Sequence, residues 1–186
     1  MKIHKYDDYD DYVDAQTEAN VRKINLLWVN EKVIQQIQKL IPSANHILCH
    51  GTRNAAEQKF FKKYYPNANI IGTEISHTAT QFTMTVQHDF HEIKEDWIGI
   101  FDIVYSNSFD HSYDPNKSLL CWKNQINKNG RLFIELIENE KSKRSDPLSL
   151  KMVEFEELCK NNSLEIIGKY KGSKFESTLI MIKIKD

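Results

Sequence analysis

The chain has 186 residues, and its 25 Lys and Arg nearly cancel its 26 Asp and Glu, leaving a formal net charge of -1. That length fits one domain with a substantial core, and the balanced charge excludes a strongly basic groove for nucleic acid. The charged first residues predict no signal peptide. No apolar run is long enough to span a bilayer, so a cytoplasmic protein without a membrane partner is expected. Cys49, Cys121 and Cys159 are widely spaced and form no CxxC, as reduced buried thiols would be. Oligomeric state is not legible.

Met1 to Asp14 is acidic and tyrosine-rich, with Tyr6, Tyr9 and Tyr12 among Asp7, Asp8, Asp10 and Asp11. A flexible acidic tail is the plain expectation; a lid over a ligand is the alternative. A long helical pattern follows from Ala15 to Ile41, with a break expected near Val29–Glu31, where Asn30 suits an N-cap. Trp28 is expected in the core. Pro42 and Ser43 end this extension.

His46–Cys49 is a short apolar run that stops at Gly51. Asn54–Tyr65 has helical spacing, and Pro66 and Asn67 end it. Asn69–Thr73 is a second apolar run with Glu74 at its carboxyl end. This is a βαβ unit, in which the first turn and the end of the second strand face one crevice. Backbone N–H groups at such a turn favour an anionic group, and a carboxylate at Glu74 suits a pair of ribose hydroxyls. A dinucleotide needs G-x-G-x-x-G. Here Gly51 is the only glycine in the turn, with Arg53 and Ala55 at the later places. S-adenosylmethionine (SAM) carries no phosphate, which tilts the choice towards it. A crossover that binds nothing is the other reading.

Downstream, Ser76 suits a cap for a short helix through Gln81, and Thr83–Gln87 is a third strand. Phe101–Ser106 is a fourth strand, Asn107–Pro115 a polar loop, and Pro115 the first turn of a helix running to about Lys128. Asn129-Gly130 reads as a turn, Arg131–Ile137 as a fifth strand, and Glu138–Asp146 as a charged loop. Pro147–Asn161 carries a helical stripe of Leu150, Val153, Phe155 and Leu158. Leu164–Gly168 and Phe175–Ile184 read as an antiparallel hairpin through Gly172-Ser173. The expected fold is α/β: a Rossmann-like, seven-stranded, mostly parallel sheet with an antiparallel terminal strand, helices on both faces and an N-terminal helical extension.

From about Ile41 to Asp186, the order of these motifs resembles the class I SAM-dependent methyltransferases. The family's first motif is an acidic strand end followed by G-x-G-x-G. ILCHGTRNA aligns with it through Gly51, but Cys49 takes the place of the acid, and Arg53 and Ala55 take two glycine places. Glu74 matches the acid ending strand two, Asp89 in QHDF the acid after strand three, and GRLFIEL the glycine-led fifth strand. SNSFDHSYDP matches the fourth motif loosely. The resemblance divides the chain into an N-terminal acidic and helical extension, 1–43, and a methyltransferase-like domain, 44–186.

What the resemblance implies is methyl transfer from SAM to a small-molecule or sugar-like acceptor; the alternative is a non-catalytic SAM- or nucleoside-binding module. The implied cofactor residues are Gly51, Arg53, Glu74, Ile75, Asp89, Phe90, Ser106 and Asn107. Arg53 suits the cofactor's carboxylate as a bidentate fork. His111 is the candidate general base, with Asp110 or Asp114 to orient it. An extended loop would send Asp110 and His111 to opposite sides. Asp110, His111 and Asp114 also raise a divalent metal. With no second group of ligands evident, none is expected. His46, His50, His77, His88 and His91 are read as structural or exposed.

Overall fold

The computed structural model describes residues 1–185. The element order is β1 (Lys2–Ile3), α1 (Tyr9–Lys23), α2 (Glu31–Leu40), β2 (His46–His50), α3 (Ala56–Tyr64), β3 (Asn69–Glu74), β4 (Thr85–Gln87) and β5 (Phe101–Ser106). It continues with α4 (Pro115–Gln125), β6 (Ile126–Ile137), β7 (Leu148–Ser149), α5 (Met152–Asn161), β8 (Leu164–Lys171) and β9 (Ser177–Ile184). Seven strands form one sheet in the order β4-β3-β2-β5-β6-β9-β8. All pairs from β4 to β6 are parallel, and β9 runs antiparallel to both its neighbours. The sheet is Rossmann-like, as the alternation of strands and helices predicts. The antiparallel strand is the last in sequence yet lies inside the sheet, between β6 and β8.

Two apolar layers cover the sheet. One is built on Trp122, Phe109, Phe155 and Leu132, under α4 and α5; the other on Ile34, Ile37, Phe61 and Tyr105, under α2 and α3. Strand order reverses between β2 and β5, because β3 and β4 build outwards on one side and β5 onwards on the other. The carboxyl ends of β2 and β5 therefore diverge around a crevice, where ligands bind in open α/β sheets.

Several boundaries differ from the sequence expectation. The long helical pattern is two helices, α1 and α2, and the Asn30 side chain caps the second by accepting from Lys32 N at 3.0 Å. Between them Leu26, Leu27 and Trp28 are exposed rather than in the core. Trp28 lies under the Lys174 ammonium, 4.8 Å from its ring centre. Helix α4 stops at Gln125 instead of Lys128, because Ile126 already pairs with Phe101 in the sheet. Asn129-Gly130 is thus an irregular stretch of β6, not a turn. Pro147 to Ser149 is not helical either: Leu148–Ser149 pairs with Lys2–Ile3 in a separate two-stranded ribbon. Val153 faces solvent, and Phe175 is 93% exposed in the hairpin turn before β9. Among the described residues, no helix is long and apolar enough to cross a membrane.

The acidic N-terminal segment is an ordered cover, not a flexible tail. Asp8 caps α1 through Asp11 N, and α1 buries Tyr12, Ala15, Gln16, Ala19 and Asn20. These sit at three- and four-residue spacing and so share one face.

Candidate functional site

The crevice holds two chambers that meet at Gly51, Arg53, Ser108 and His111. Gly51 has a φ of +69°, and a Cβ there would come within 2.6 Å of the Ser108 Cβ. Only glycine keeps this waist open without strain. Arg53 (φ 31°) and Ala55 (φ 59°) also have positive φ. The turn therefore keeps a left-handed path at all three places where the family resemblance calls for glycine, at a cost of about 1–2 kcal/mol for each substituted residue. The strained turn is anchored from outside: the Asn54 amide donates to Ile24 O and Leu26 O at 2.9 and 3.2 Å.

The first chamber, about 40 Å³, lies between the ends of β3 and β4 and the buried face of α1. Glu74, Ile75, Asp89 and Phe90, named from the sequence as cofactor residues, line it from below, and Tyr12, Gln16 and Asn20 from above. Glu74 is buried and accepts from Ser76 N at 2.9 Å. Burial raises its pKa, and the Ser76 amide, His111 and Asn20 oppose the rise. Asp89 behaves oppositely. Burial pushes it up, but the His91 ring, the His91 amide and the Tyr9 hydroxyl outweigh that and hold it below the usual carboxylate range. The Tyr9 hydroxyl donates to Asp89 Oδ2 at 3.0 Å, tying the start of α1 to the chamber floor.

Asp89, His91 and Ser112 form a chain of short hydrogen bonds, 2.7 Å from Asp89 Oδ1 to His91 Nδ1 and 2.8 Å from His91 Nε2 to Ser112 Oγ. Nucleophilic catalysis uses such a chain. Here the ring and the hydroxyl are fully buried, and Ser112 Oγ also bonds Ser118 Oγ at 3.1 Å. The chain ties Asp89 to the loop after β5 through a fully buried His91.

The second chamber, about 230 Å³, opens beyond the waist and is lined by Arg53, Glu57, Asn107, Asp110, His111 and Asp146 among others. The short 3-10 turn Phe109–His111 is pinned by the buried Phe109. Because the chain turns rather than extends, Asp110 and His111 face the same chamber, against the expectation of opposite sides. His111 Nε2 lies 3.9 Å from Asp110 Oδ2 and 3.5 Å from Asp146 Oδ1. Its Nδ1 is 2.7 Å from Gln16 Oε1. A carbonyl oxygen only accepts, so Nδ1 carries the hydrogen and Nε2 is left to act on a substrate. Burial raises Asp110 against the pull of His111. Asp146 is lowered, because His111 and Lys143 outweigh its burial. Asp114 does not orient the histidine; it caps α4 by accepting from Lys117 N at 3.0 Å. The carboxylates near the ring are those of Asp146 and Asp110, and Gln16 is the group that hydrogen-bonds it. Asp110, His111 and Asp146 present ligand atoms within 4.8 Å of one another. The sequence reading grouped Asp114 with Asp110 and His111; the structure groups Asp146 with them instead, and Lys143 Nζ lies 2.5 Å from Asp146.

Of the remaining predicted residues, Asn107 lines the second chamber, whereas Ser106 lies beneath the waist. The Ser106 hydroxyl accepts from Ser108 N at 3.1 Å and donates to His50 O at 3.3 Å, which shapes the turn. Sequence reasoning missed Glu57, Asp146 and the polar face of α1. Gln16 and Asn20 at four-residue spacing were the available signal for that face.

Glu57 is the most displaced acid in the site. Burial raises its pKa from 4.5 to about 7, against Asn107 and Arg53, which favour the charged form. A carboxyl raised on folding adds stability that is fully present below about pH 4.5 and lost as pH rises to about 7. The span corresponds to on the order of 3 kcal/mol. Glu57→Gln has no such loss. Urea unfolding is therefore expected to show the variant gaining on the parent protein between pH 5 and pH 8. A constant difference between the two proteins across that range would contradict the buried-acid reading.

No protein-family model matches the sequence, and no curated protein matches it by sequence. Solved structures do match its fold. A Burkholderia thailandensis 1,6-didemethyltoxoflavin N1-methyltransferase superposes with a TM-score of 0.78 at 11% identity, over 98% of this chain and 93% of that one. A TehB-like SAM-dependent methyltransferase from Corynebacterium glutamicum gives 0.65 at 15% identity, over 95% and 98%. A SAM-dependent methyltransferase from Aquifex aeolicus gives 0.65 at 11% identity, over 97% and 100%.

Proposed function

On the class I SAM-dependent methyltransferase fold that this chain has, we propose that it transfers a methyl group from SAM to a hydroxyl of a small-molecule or sugar-like acceptor. One observation carries this reading: the two chambers meet at Gly51 and His111, with nucleoside-type groups on one side and a histidine between two carboxylates on the other. The Burkholderia structure, which holds S-adenosylhomocysteine and 1,6-didemethyltoxoflavin, supports the cofactor and a small-molecule acceptor, though its acceptor is a nitrogen.

The residues suit the cofactor. Glu74, Asp89 and Phe90 line the same chamber; Glu74 would accept from the ribose hydroxyls, and Asp89 and Phe90 would hold the base. Gly51 leaves room for a ligand to pass between the chambers, where a Cβ would close the waist. When bound, SAM supplies a methyl group activated by its sulfonium, which passes in line to the acceptor oxygen. His111 Nε2 takes the proton of that oxygen, and ionised Asp146 stabilises the imidazolium that results. Gln16 and Asn20 exclude water from above. Small-molecule pockets measure about 300–1,000 Å³, so α1 must lift from the narrow first chamber to admit a nucleoside.

Glu74→Ala is expected to weaken S-adenosylhomocysteine binding about tenfold or more, since charge-assisted bonds to ribose are lost. Calorimetry reads this, and an unchanged dissociation constant in a folded variant would reject the role. Methyl incorporation from labelled SAM into a cell extract tests the activity itself. A second reading, a non-catalytic SAM- or nucleoside-binding module, is favoured by Arg53 and Ala55 at the strained positions of the turn. Binding without any incorporation would support it.

A further inference from the structure

Gln16 is buried on the inner face of α1, and its hydrogen bonds fix which way its side-chain amide points. Its Nε2 donates to Ser145 O at 3.3 Å and to the Tyr6 hydroxyl at 3.5 Å. The Tyr6 hydroxyl gives its own hydrogen to Arg144 O at 2.6 Å. Both partners of Nε2 are therefore acceptors, and reversing the amide would set oxygen against oxygen. Oε1 is left facing His111 Nδ1 at 2.7 Å.

The opposite edge of the ring has the contrary preference. Nε2 faces Asp146 Oδ1 at 3.5 Å and Asp110 Oδ2 at 3.9 Å. Lys143 answers the other oxygen of Asp146, Oδ2, and leaves Oδ1 to the ring. Glu74 from the end of β3 and Glu140 from the loop after β6 add negative charge around the same imidazole. Ionised carboxylates only accept. A neutral ring left to these neighbours carries its hydrogen on Nε2, and in that tautomer the edge towards the second chamber has no lone pair for a proton. One hydrogen bond from α1 decides against it.

We propose that Gln16 is the positioning residue for the base: its carbonyl holds the His111 hydrogen on Nδ1 and keeps Nε2 bare, against Asp146 and Asp110. The proposal rests on the methyl-transfer reading above and deepens it, because Gln16 belongs to the cover and the ring is armed only while α1 is down. When α1 lifts, Nδ1 loses its proton to water and Nε2 takes one from water, so the ring stays neutral but stops accepting. With α1 down, Nε2 takes the proton of the acceptor hydroxyl. The carboxylates that oppose the bare nitrogen then stabilise the imidazolium.

The test reads the ring directly. Proton–nitrogen correlation spectra of protein carrying isotope-labelled histidine distinguish a ring nitrogen with a hydrogen from one without, and the His111→Ala spectrum assigns the signal. The pH is raised until the ring is neutral, about pH 8.5 or above. The parent protein is expected to carry the hydrogen on Nδ1. Gln16→Met keeps the length and lacks the carbonyl, and should shift the tautomer ratio about tenfold or more towards Nε2, the worth of one hydrogen bond. Gln16→Glu keeps an acceptor and should retain the hydrogen on Nδ1. Labelled-methyl incorporation from saturating SAM into a cell extract should slow about tenfold in Gln16→Met, with the S-adenosylhomocysteine dissociation constant within about threefold of the parent value. A hydrogen on Nε2 in the parent, or an unmoved ratio in Gln16→Met, would overturn the assignment. Equal shifts in both variants would overturn it in favour of a loosened cover. An affinity loss equal to the rate loss would overturn it in favour of a packing role. The expected tautomers in a parent protein that incorporates no methyl group would overturn the methyl-transfer reading, and with it the catalytic role, leaving only the hydrogen bond.

Discussion

The His111→Ala protein is expected to turn over about a hundredfold more slowly than the parent, with S-adenosylhomocysteine affinity nearly unchanged. A neutral alcohol is a poor nucleophile, so the proposed transfer to a hydroxyl would need a proton acceptor at the chamber junction. Nε2 of His111 is the group placed for it, because Gln16 holds Nδ1 and Asp146 lies 3.5 Å from the other side of the ring. The substitution removes the Gln16–His111 bond but keeps other ties between the cover and the chamber. The Tyr12 hydroxyl donates to the backbone carbonyl of residue 111 at 3.3 Å, and an alanine keeps that carbonyl. Asp146 also keeps Lys143. Rate and affinity should therefore separate, which steady-state kinetics with an identified acceptor and calorimetry would read together. Parent-like turnover would remove His111 as a base. An affinity loss equal to the rate loss would make it a cofactor-pocket residue instead.

Trp122→Ala should produce the largest loss of stability, about 3–5 kcal/mol. The indole is fully buried on α4 and stacks on the His50 ring, with centroids 5.0 Å apart at 14°. It meets Phe90 and Phe109 edge-on at 5.3 and 5.6 Å. Its Nε1 donates to Phe90 O at 3.0 Å. Truncation thus opens a cavity directly below the ring that lines the nucleoside chamber and frees the carbonyl that fixes it. Urea unfolding should show the stability loss, and nucleoside affinity should fall with it even where the variant remains folded. A loss under about 1 kcal/mol would mean that the core refills the space, contrary to close packing.

The sheet was legible because its strands are short apolar runs separated by helical stripes, and the hairpin because β9 alternates and follows a Gly-Ser turn. Glu74 and Asp89 could be located at the crevice because Glu74 ends β3 and Asp89 follows β4 by two residues. The cover over the site could not. Its buried face is mostly Tyr12, Gln16 and Asn20, which gain from hydrogen bonds to His111, Thr78 and Glu74 that only tertiary structure creates. Trp28 looked like core by composition, but it falls in the break between two helices, beside Lys174. Asp146 comes from a loop far along the chain, brought to His111 by the β1–β7 ribbon and the path after β6. Glu57 read as an ordinary acid in a helix's first turn, and its burial depends on how α3 leans on β2 and β5. The shared face of Asp110 and His111 depends on a 3-10 turn, where an extended loop was assumed.

The inner position of β9 bears on how the chain is made. Ribosomes deliver β6 and β8 before β9, yet these two strands do not pair with each other; β9 lies between them. Residues Leu132, Phe133, Ile134 and Leu136 of β6 are all buried in the finished sheet. Until Ser177–Ile184 emerges, β6 has an unpaired apolar edge, a template on which other nascent chains can assemble. The hairpin must slot in as the closing event, with Leu132 meeting Ile182 and Ile134 meeting Ile180. Termination before β9 would leave that edge open and give a chain prone to aggregate.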